Sequence, residues 1–318
     1  MTKRNEVKRP MKNTTLTALA LTLLLLTSAT VIATAYHQSI PNTEEETLKI
    51  TKLNQEPTIE VETEQQNQNK THLYNLDLQA QLNALTAGQT LTLPSGIIHL
   101  NTTLYLKAAH STLKGNNTTL ILHSETANMP LLHIKAPYTT ITNITFENTA
   151  PGLYTTSIKT TQHDTTISHN RFRNSPIAIT LWADNNTISY NHFSNHQDEA
   201  IAIISTTHTT SNHNTISHNI FDNTTDGVEL QKSTHNIISH NVFRNTTHAA
   251  LDLIGEENNH NMISHNTITN STGYDIYIGP SQNNTLTHNI LTGTLLTKQA
   301  KLTLENNDIE TIKTLQTN

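Results

Sequence analysis

A short apolar–polar phrase recurs down the chain from Ile141 onward. In "TISHNRFRN", "TISYNHFSN", "TISHNIFDN", "IISHNVFRN", "MISHNTITN" and "TLTHNILTG", an aliphatic is followed by two polar residues, an Asn, one variable residue, and then Phe or another aliphatic. The lead aliphatics are Ile167, Ile188, Ile216, Ile238, Ile263 and Leu286, separated by 21, 28, 22, 25 and 23 residues. A degenerate copy led by Ile141 precedes them, and "LTLENNDIE", with Leu304, Asn307 and Ile309 in the same places, follows. Self-similarity at roughly 20–50 residues marks a stacked architecture in which loops take up the uneven lengths.

Alternation breaks between the lead aliphatic and the Asn. A bend there turns both apolar residues inward and leaves the Asn at a corner that calls for a left-handed conformation. Between copies lie alternating strands, "IAITL", "AIAII", "GVEL", "ALDL" and "YDIYI". Three short strands per coil with no helices between them predict an all-β fold, a right-handed parallel β-helix solenoid of about eight to ten coils. Ahead of the repeats, Leu78, Leu82 and Leu85 fall at helical spacing and Gly88 stands at the expected C-terminal cap, which predicts an N-terminal capping helix.

The segment before the solenoid reads differently. A basic start, the apolar run "LTALALTLLLL" and Ala33-Thr34-Ala35 fit residues 1–35 as a signal peptide, or as a membrane anchor if uncleaved. Residues 36–71, acidic and Gln/Asn-rich, read as a flexible tether, and residues 72–318 as the β-helix. The body is then expected outside the cytoplasm, secreted or at the cell surface, touching membrane only through that first segment.

Composition agrees with a narrow core. Charged residues make up 14%, aromatics 4% and hydrophobics 34%, too little to fill a wide interior but enough for a one-dimensional one. A net charge of -6 excludes a nucleic-acid partner, and the absence of cysteine excludes disulfides and thiolate chemistry.

The phrase "xISxNxFxN", together with "LNALTAGQTLTLPSG" and "STLKGNNTTL", resembles the right-handed parallel β-helix proteins: the pectate-lyase-like superfamily and the NosD-type repeat domain. The resemblance runs from about Leu76 to Ile309. It implies the fold; the functions it spans include lyases, hydrolases, epimerases, tailspike adhesins and non-catalytic surface proteins.

Stacking turns equivalent residues into columns. Asn170, Asn191, Asn219, Asn241, Asn266, Asn289 and Asn307 form a structural ladder, because an amide both donates and accepts. His169, Tyr190, His218, His240, His265 and His288 form a neighbouring ring column, of which His218, His240 and His265 are the candidate copper or zinc ligands; the NosD resemblance carries a copper association. Glu229 and Asp252 lie between inward aliphatics on adjacent coils, with Asp226, Lys232, His248, Asp275 and Tyr277 nearby by register. Paired carboxylates suit general acid/base work on a sugar, or calcium-assisted proton abstraction, so calcium is the candidate cofactor there, although none is required. Asp198 and Glu199 precede a strand as paired aspartates do in polygalacturonase-like hydrolases, but that family's other motifs are missing. Long insertions at 204–215 and 254–262 leave one corner on either side of the coil carrying Glu229 and are expected to wall a groove. Trp182, Tyr277 and His248 are candidate substrate contacts.

The reading reached from sequence is an exported β-helix protein that binds a polysaccharide or surface glycan without catalysis. A polysaccharide lyase or hydrolase acting at the acidic face is the alternative, and metal handling through the His column is a second.

Overall fold

In the computed structural model, residues 72–73 and 77–315 are described; the signal or anchor segment and the tether fall outside the described residues. Among the described residues, twenty-five parallel-paired strands and one helix make about nine turns of a β-solenoid. The first strand of each coil is the "TIS" type: Thr166–Ser168, Thr187–Ser189, Thr215–Ser217, Ile237–Ser239 and Met262–Ser264 stack in register. The second follows the corner Asn, so that Phe172 pairs with Phe193, then Phe221, then Phe243. The third carries Ile179, Ile201, Val228, Leu251 and Ile276 in one row.

These rows are the core. Ile167, Ile188, Ile216, Ile238, Ile263 and Leu286 are fully buried, as are Phe146, Phe172, Phe193, Phe221 and Phe243. The five Phe rings form one continuous stack, with centroids 4.4 to 5.1 Å apart. Each buried side chain of this size contributes about 1.5–3 kcal/mol of burial, so every coil adds a similar increment to the next.

The corner Asn column forms as expected. Asn191 Nδ2 donates to Asn219 Oδ1 (3.1 Å), Asn219 to Asn241 (3.1 Å), Asn241 to Asn266 (3.0 Å), and the chain of amides continues through Asn289 to Asn307. Each oxygen also accepts the backbone N–H of the preceding rung's Asn, for example Asn219 N–H to Asn241 Oδ1 at 2.9 Å.

One corner expectation is corrected. The left-handed residue is not the Asn but the ring before it: His169, Tyr190, His218, His240, His265 and His288 have φ of 55 to 58°. That frees the Asn to point inward and bond the backbone on both sides of the bend. A second Asn ladder, absent from the sequence reading, closes the other end of the first strand. Asn186, Asn214, Asn236, Asn261 and Asn284 accept from one another's backbone N–H groups at 2.8 to 2.9 Å. Its signal was the Asn two places before each lead aliphatic from Ile188 to Leu286.

The capping helix α1, Leu78–Ala84, buries Leu78 and Leu82, with Asp77 as N-cap accepting from the Ala80 N–H at 2.8 Å. It stops one residue short of Leu85, which is already extended; Gly88 (φ 80°) serves the following turn, where its N–H donates to Ala109. At seven residues the helix is a plug, held by its buried face more than by its own propensity. Among the described residues no helix is long and apolar enough to cross a membrane.

Candidate functional site

The outward face of the third strands carries the chemistry. One outward column runs Tyr105, His133, Lys159, Thr180, Ala202, Glu229, Asp252 and Tyr277, one residue per coil. Three positions upstream of Ala202 and Glu229, the strands bring Glu199 opposite Asp226. Parallel neighbours lie about 4.8 Å apart, so Glu199, Asp226, Glu229 and Asp252 form one acidic cluster, with Asp198 beside it.

These carboxylates are withdrawn from water despite facing outward: Asp226 is 5% exposed, Glu229 6% and Asp252 1%. Small neighbours on the adjoining coils, Ala202 opposite Glu229 and Ala249 opposite Asp226, let the chains sink close to the strand backbone. Burial disfavours the ionised form, and like charges add to it. Burial first, then the charges of Glu229 and Asp198, push Glu199 up to about 8. Burial, then Asp226 and Glu229, push Asp252 up to about 7. Asp198 rises through burial and Asp226. Glu229 rises through burial, offset by a hydrogen bond from Gln231 Nε2 (2.6 Å) and by one from the Glu199 carboxyl. Of the two, Glu199 is pushed furthest toward its protonated form, and Glu229 lies beside it, raised by burial.

His248 reaches in from the corner before the strand. Its Nδ1 lies 2.8 Å from Asp226 Oδ1 and 3.8 Å from Asp252 Oδ2. Burial lowers its basicity, but the Asp226 charge and hydrogen bond, then Asp252 and Glu229, outweigh this and raise it. Asp226, His248 and Asp252 each offer a ligand atom within 4.8 Å of the others, and Asp252 Oδ1 has no hydrogen-bond partner among the described residues. That donor set fits a divalent cation; the imidazole makes it a better match for zinc or manganese than for calcium, which favours all-oxygen sites.

Other candidates fall elsewhere. Tyr277 stands next to Asp252 in the outward column, its hydroxyl raised by burial and by Asp252. Asp275 turns under the strand instead, accepting from the Gly293 N–H at 2.7 Å. Lys232 sits exposed in a left-handed turn beyond Gln231 and forms no ion pair among the described residues. The insertions at 204–215 and 254–262 leave the end of the third strand on the coils flanking Glu229, at the corner the sequence indicated. Trp182 does not present a bare face: Lys159 Nζ lies over its ring, 3.6 Å from the centroid.

The ring column stands apart on a different corner. His218, His240 and His265 are exposed and stack face to face, centroids 4.9 and 4.7 Å apart and planes within 3°. Parallel rings aim their nitrogens side by side, so one ion spans two adjacent imidazoles at most. A shorter second stack, His213, His235 and His260, borders the other Asn ladder.

A search of curated proteins finds no match. Among solved structures the chain is similar to an alginate lyase from Paenibacillus sp. str. FPU-7, at 14% identity and a TM-score of 0.62, over 76% of this chain and 96% of that one. It is similar to the enzymatically active domain of bacteriophage CBA120 tailspike protein 2, at 12% identity and a TM-score of 0.55, over 75% of this chain and 40% of that one. A tailspike of E. coli bacteriophage HK620, in complex with a pentasaccharide, matches at 10% identity and a TM-score of 0.53, over 71% of this chain and 54% of that one. At such identities the likeness is one of fold. The family described as "Right handed beta helix region" matches residues 95–259, which is 165 of the 318 residues and supplies the hand of the coil. By that match, over the coils whose ladders and Phe stack are described above, the chain belongs to the right-handed β-helix family.

Proposed function

We propose that the protein engages an extended polysaccharide along the outward face of its third strands and cleaves a glycosidic bond at the Glu199–Glu229 pair. The observation that carries this reading is the withdrawal of four carboxylates from water, Asp226, Glu229 and Asp252 buried and Glu199 half-buried, from three successive coils, on a face where a purely structural solenoid would place Thr or Asn. Keeping like charges out of water destabilises the fold, and such arrangements concentrate where acid–base chemistry is done. Glu199, protonated near neutrality, would donate to the leaving-group oxygen, and ionised Glu229, its partner in a proton-sharing dyad, would take a proton from the water that attacks the sugar carbon. His248 would hold Asp226 ionised and steady the cluster's charge.

Fold neighbours named for alginate lysis and for a bound pentasaccharide support the substrate class, an extended glycan, without fixing the reaction. Hydrolysis is preferred to β-elimination because the cluster supplies acids, while the expected basic partner, Lys232, stands off it. A divalent cation on Asp226, His248 and Asp252 would neutralise the surplus charge and orient a sugar hydroxyl or carboxylate. Export to the cell surface, as the first 35 residues suggest, would place such an activity where polysaccharides are met.

The test is a panel of neutral and acidic polysaccharides, followed both by new reducing ends and by absorbance of unsaturated products. The reading predicts reducing ends without absorbance, lost in Glu199→Gln and in Glu229→Gln while both variants stay folded. Absorbance would make the protein a lyase. Retention on glycans with no product from any of them would return it to the non-catalytic, adhesive reading.

A further inference from the structure

The acidic cluster occupies only the middle of its column. Toward the N-terminal end the same outward line holds Lys159, His133 and Tyr105, with Lys135 two residues beyond His133 and Lys107 two beyond Tyr105. The described ion pairs involve His163, Arg173 and His248, so none of these lysines is neutralised by an acid among the described residues. They press on one another. Burial, then Lys135 and Lys159, holds the His133 ring well down, at about 4, and burial and Lys135 lower Lys159.

Two donors here lack acceptors. His133 Nε2 and Trp182 Nε1 are both buried without a hydrogen-bond partner among the described residues. Trp182 lies beneath Lys159, its ring face fixing the ammonium in place through a cation–π contact at 3.6 Å. An unpaired ammonium on a rigid aromatic seat, a second ammonium one coil away and two idle N–H groups make a cradle for an anion, with the neutral imidazole donating through its Nε2–H tautomer.

We propose that Lys135, Lys159, His133 and Trp182 form a subsite for an anionic substituent, a carboxylate or a sulfate, on the glycan chain that reaches the acidic cluster. From Lys159 to Glu229 is three coils, about 14 Å at the parallel-strand spacing. A stretch of that length takes roughly three sugar units, so the charged group sits a few sugars from the bond addressed, and the opposite charges at the two ends fix the direction in which the chain lies. The inference rests on the polysaccharide reading above and narrows it to acidic glycans.

The experiment measures binding of three probes to the full chain by calorimetry: polygalacturonate for carboxylate, dextran sulfate for sulfate, and plain dextran as the neutral control. The inference predicts that at least one polyanion binds more tightly than dextran, and that raising ionic strength weakens it. It also predicts that Lys135→Ala/Lys159→Gln weakens polyanion binding about tenfold or more, with dextran unaffected. His133→Gln gives a second readout, and thermal melting confirms that each variant is folded. Which polyanion responds tells carboxylate from sulfate. Equal affinity for all three probes, or full polyanion affinity in the double variant, overturns the subsite. The parent protein, assayed for cleavage alongside binding, separates the two claims: hydrolysis by the parent without anion preference would sink the subsite alone, and anion binding through these lysines without cleavage of any glycan by the parent would sink the hydrolytic reading alone.

Discussion

Asn219→Ala removes one rung of the inner ladder and tests whether amides, as well as aliphatics, hold the coils in register. The Asn219 side chain makes four bonds. Its Oδ1 accepts from the Asn191 N–H (2.9 Å) and Asn191 Nδ2 (3.1 Å), and its Nδ2 donates to the Ile188 carbonyl (2.9 Å) and to Asn241 Oδ1 (3.1 Å). Two partners keep an alternative: Asn191 Nδ2 still reaches the Ile167 carbonyl, and Asn241 Oδ1 still accepts the Asn219 N–H. The Asn191 N–H is left buried without its acceptor, which costs about 1–3 kcal/mol, and the other lost bonds about 0.5–1.5 kcal/mol each. The expected loss is roughly 3–5 kcal/mol, a large fraction of a typical domain's stability. Guanidinium unfolding would show it as a lower midpoint at unchanged slope. The control is Thr210→Ala, which removes an exposed bond to Asp184 (2.9 Å) and should cost no more than about 0.5 kcal/mol. A loss below about 1 kcal/mol for Asn219→Ala, or one equal to the control's, would refute the reasoning.

Two further expectations concern the acidic face. Glu199→Gln should flatten the dependence of stability on pH: a carboxyl raised from 4.5 to about 8 on folding contributes stability that is full below pH 4.5 and is lost as pH climbs to about 8, so the variant should gain a few kcal/mol relative to the parent at pH 9 and nothing at pH 4. Unfolding curves at the two pH values check this, and an equal difference at both would contradict it. Gly227→Ala should destabilise by more than about 2 kcal/mol, because a Cβ there would meet the Ala250 carbonyl oxygen at 2.4 Å and the Phe243 ring at 2.6 Å; a thermal melt unchanged from the parent would show the strand can give way.

What could be read from sequence followed from whatever repeats. Ile167 to Leu286 and the Asn column recur at every coil, so stacking alone placed them. The partner of Glu229 was harder. The insertion after Ile203 and the register shift between His196 and Glu199 change the count from coil to coil, so no fixed period brings Glu199 alongside Asp226. Glu229 and Asp252 were legible together because their two coils pair without interruption over that strand. The left-handed His and the second Asn ladder were missed for another reason. A corner's backbone conformation is set by which side chain must turn inward to satisfy buried N–H groups, and sequence order does not reveal which residue yields. Lys159 and Trp182 are 23 positions apart, and nothing in the chain marked them as contacts until the coils were laid over one another.

The account turns on Glu199 and Glu229 sharing a proton across adjacent coils. The most direct measurement is a carbon NMR titration of protein labelled at the glutamate carboxyl. A resonance that titrates near pH 8, vanishes in Glu199→Gln and moves when Glu229 is replaced by Gln is the predicted result. Glutamate carboxyls that all titrate near their ordinary value of about 4.3, with no response of one to the other's replacement, would contradict it.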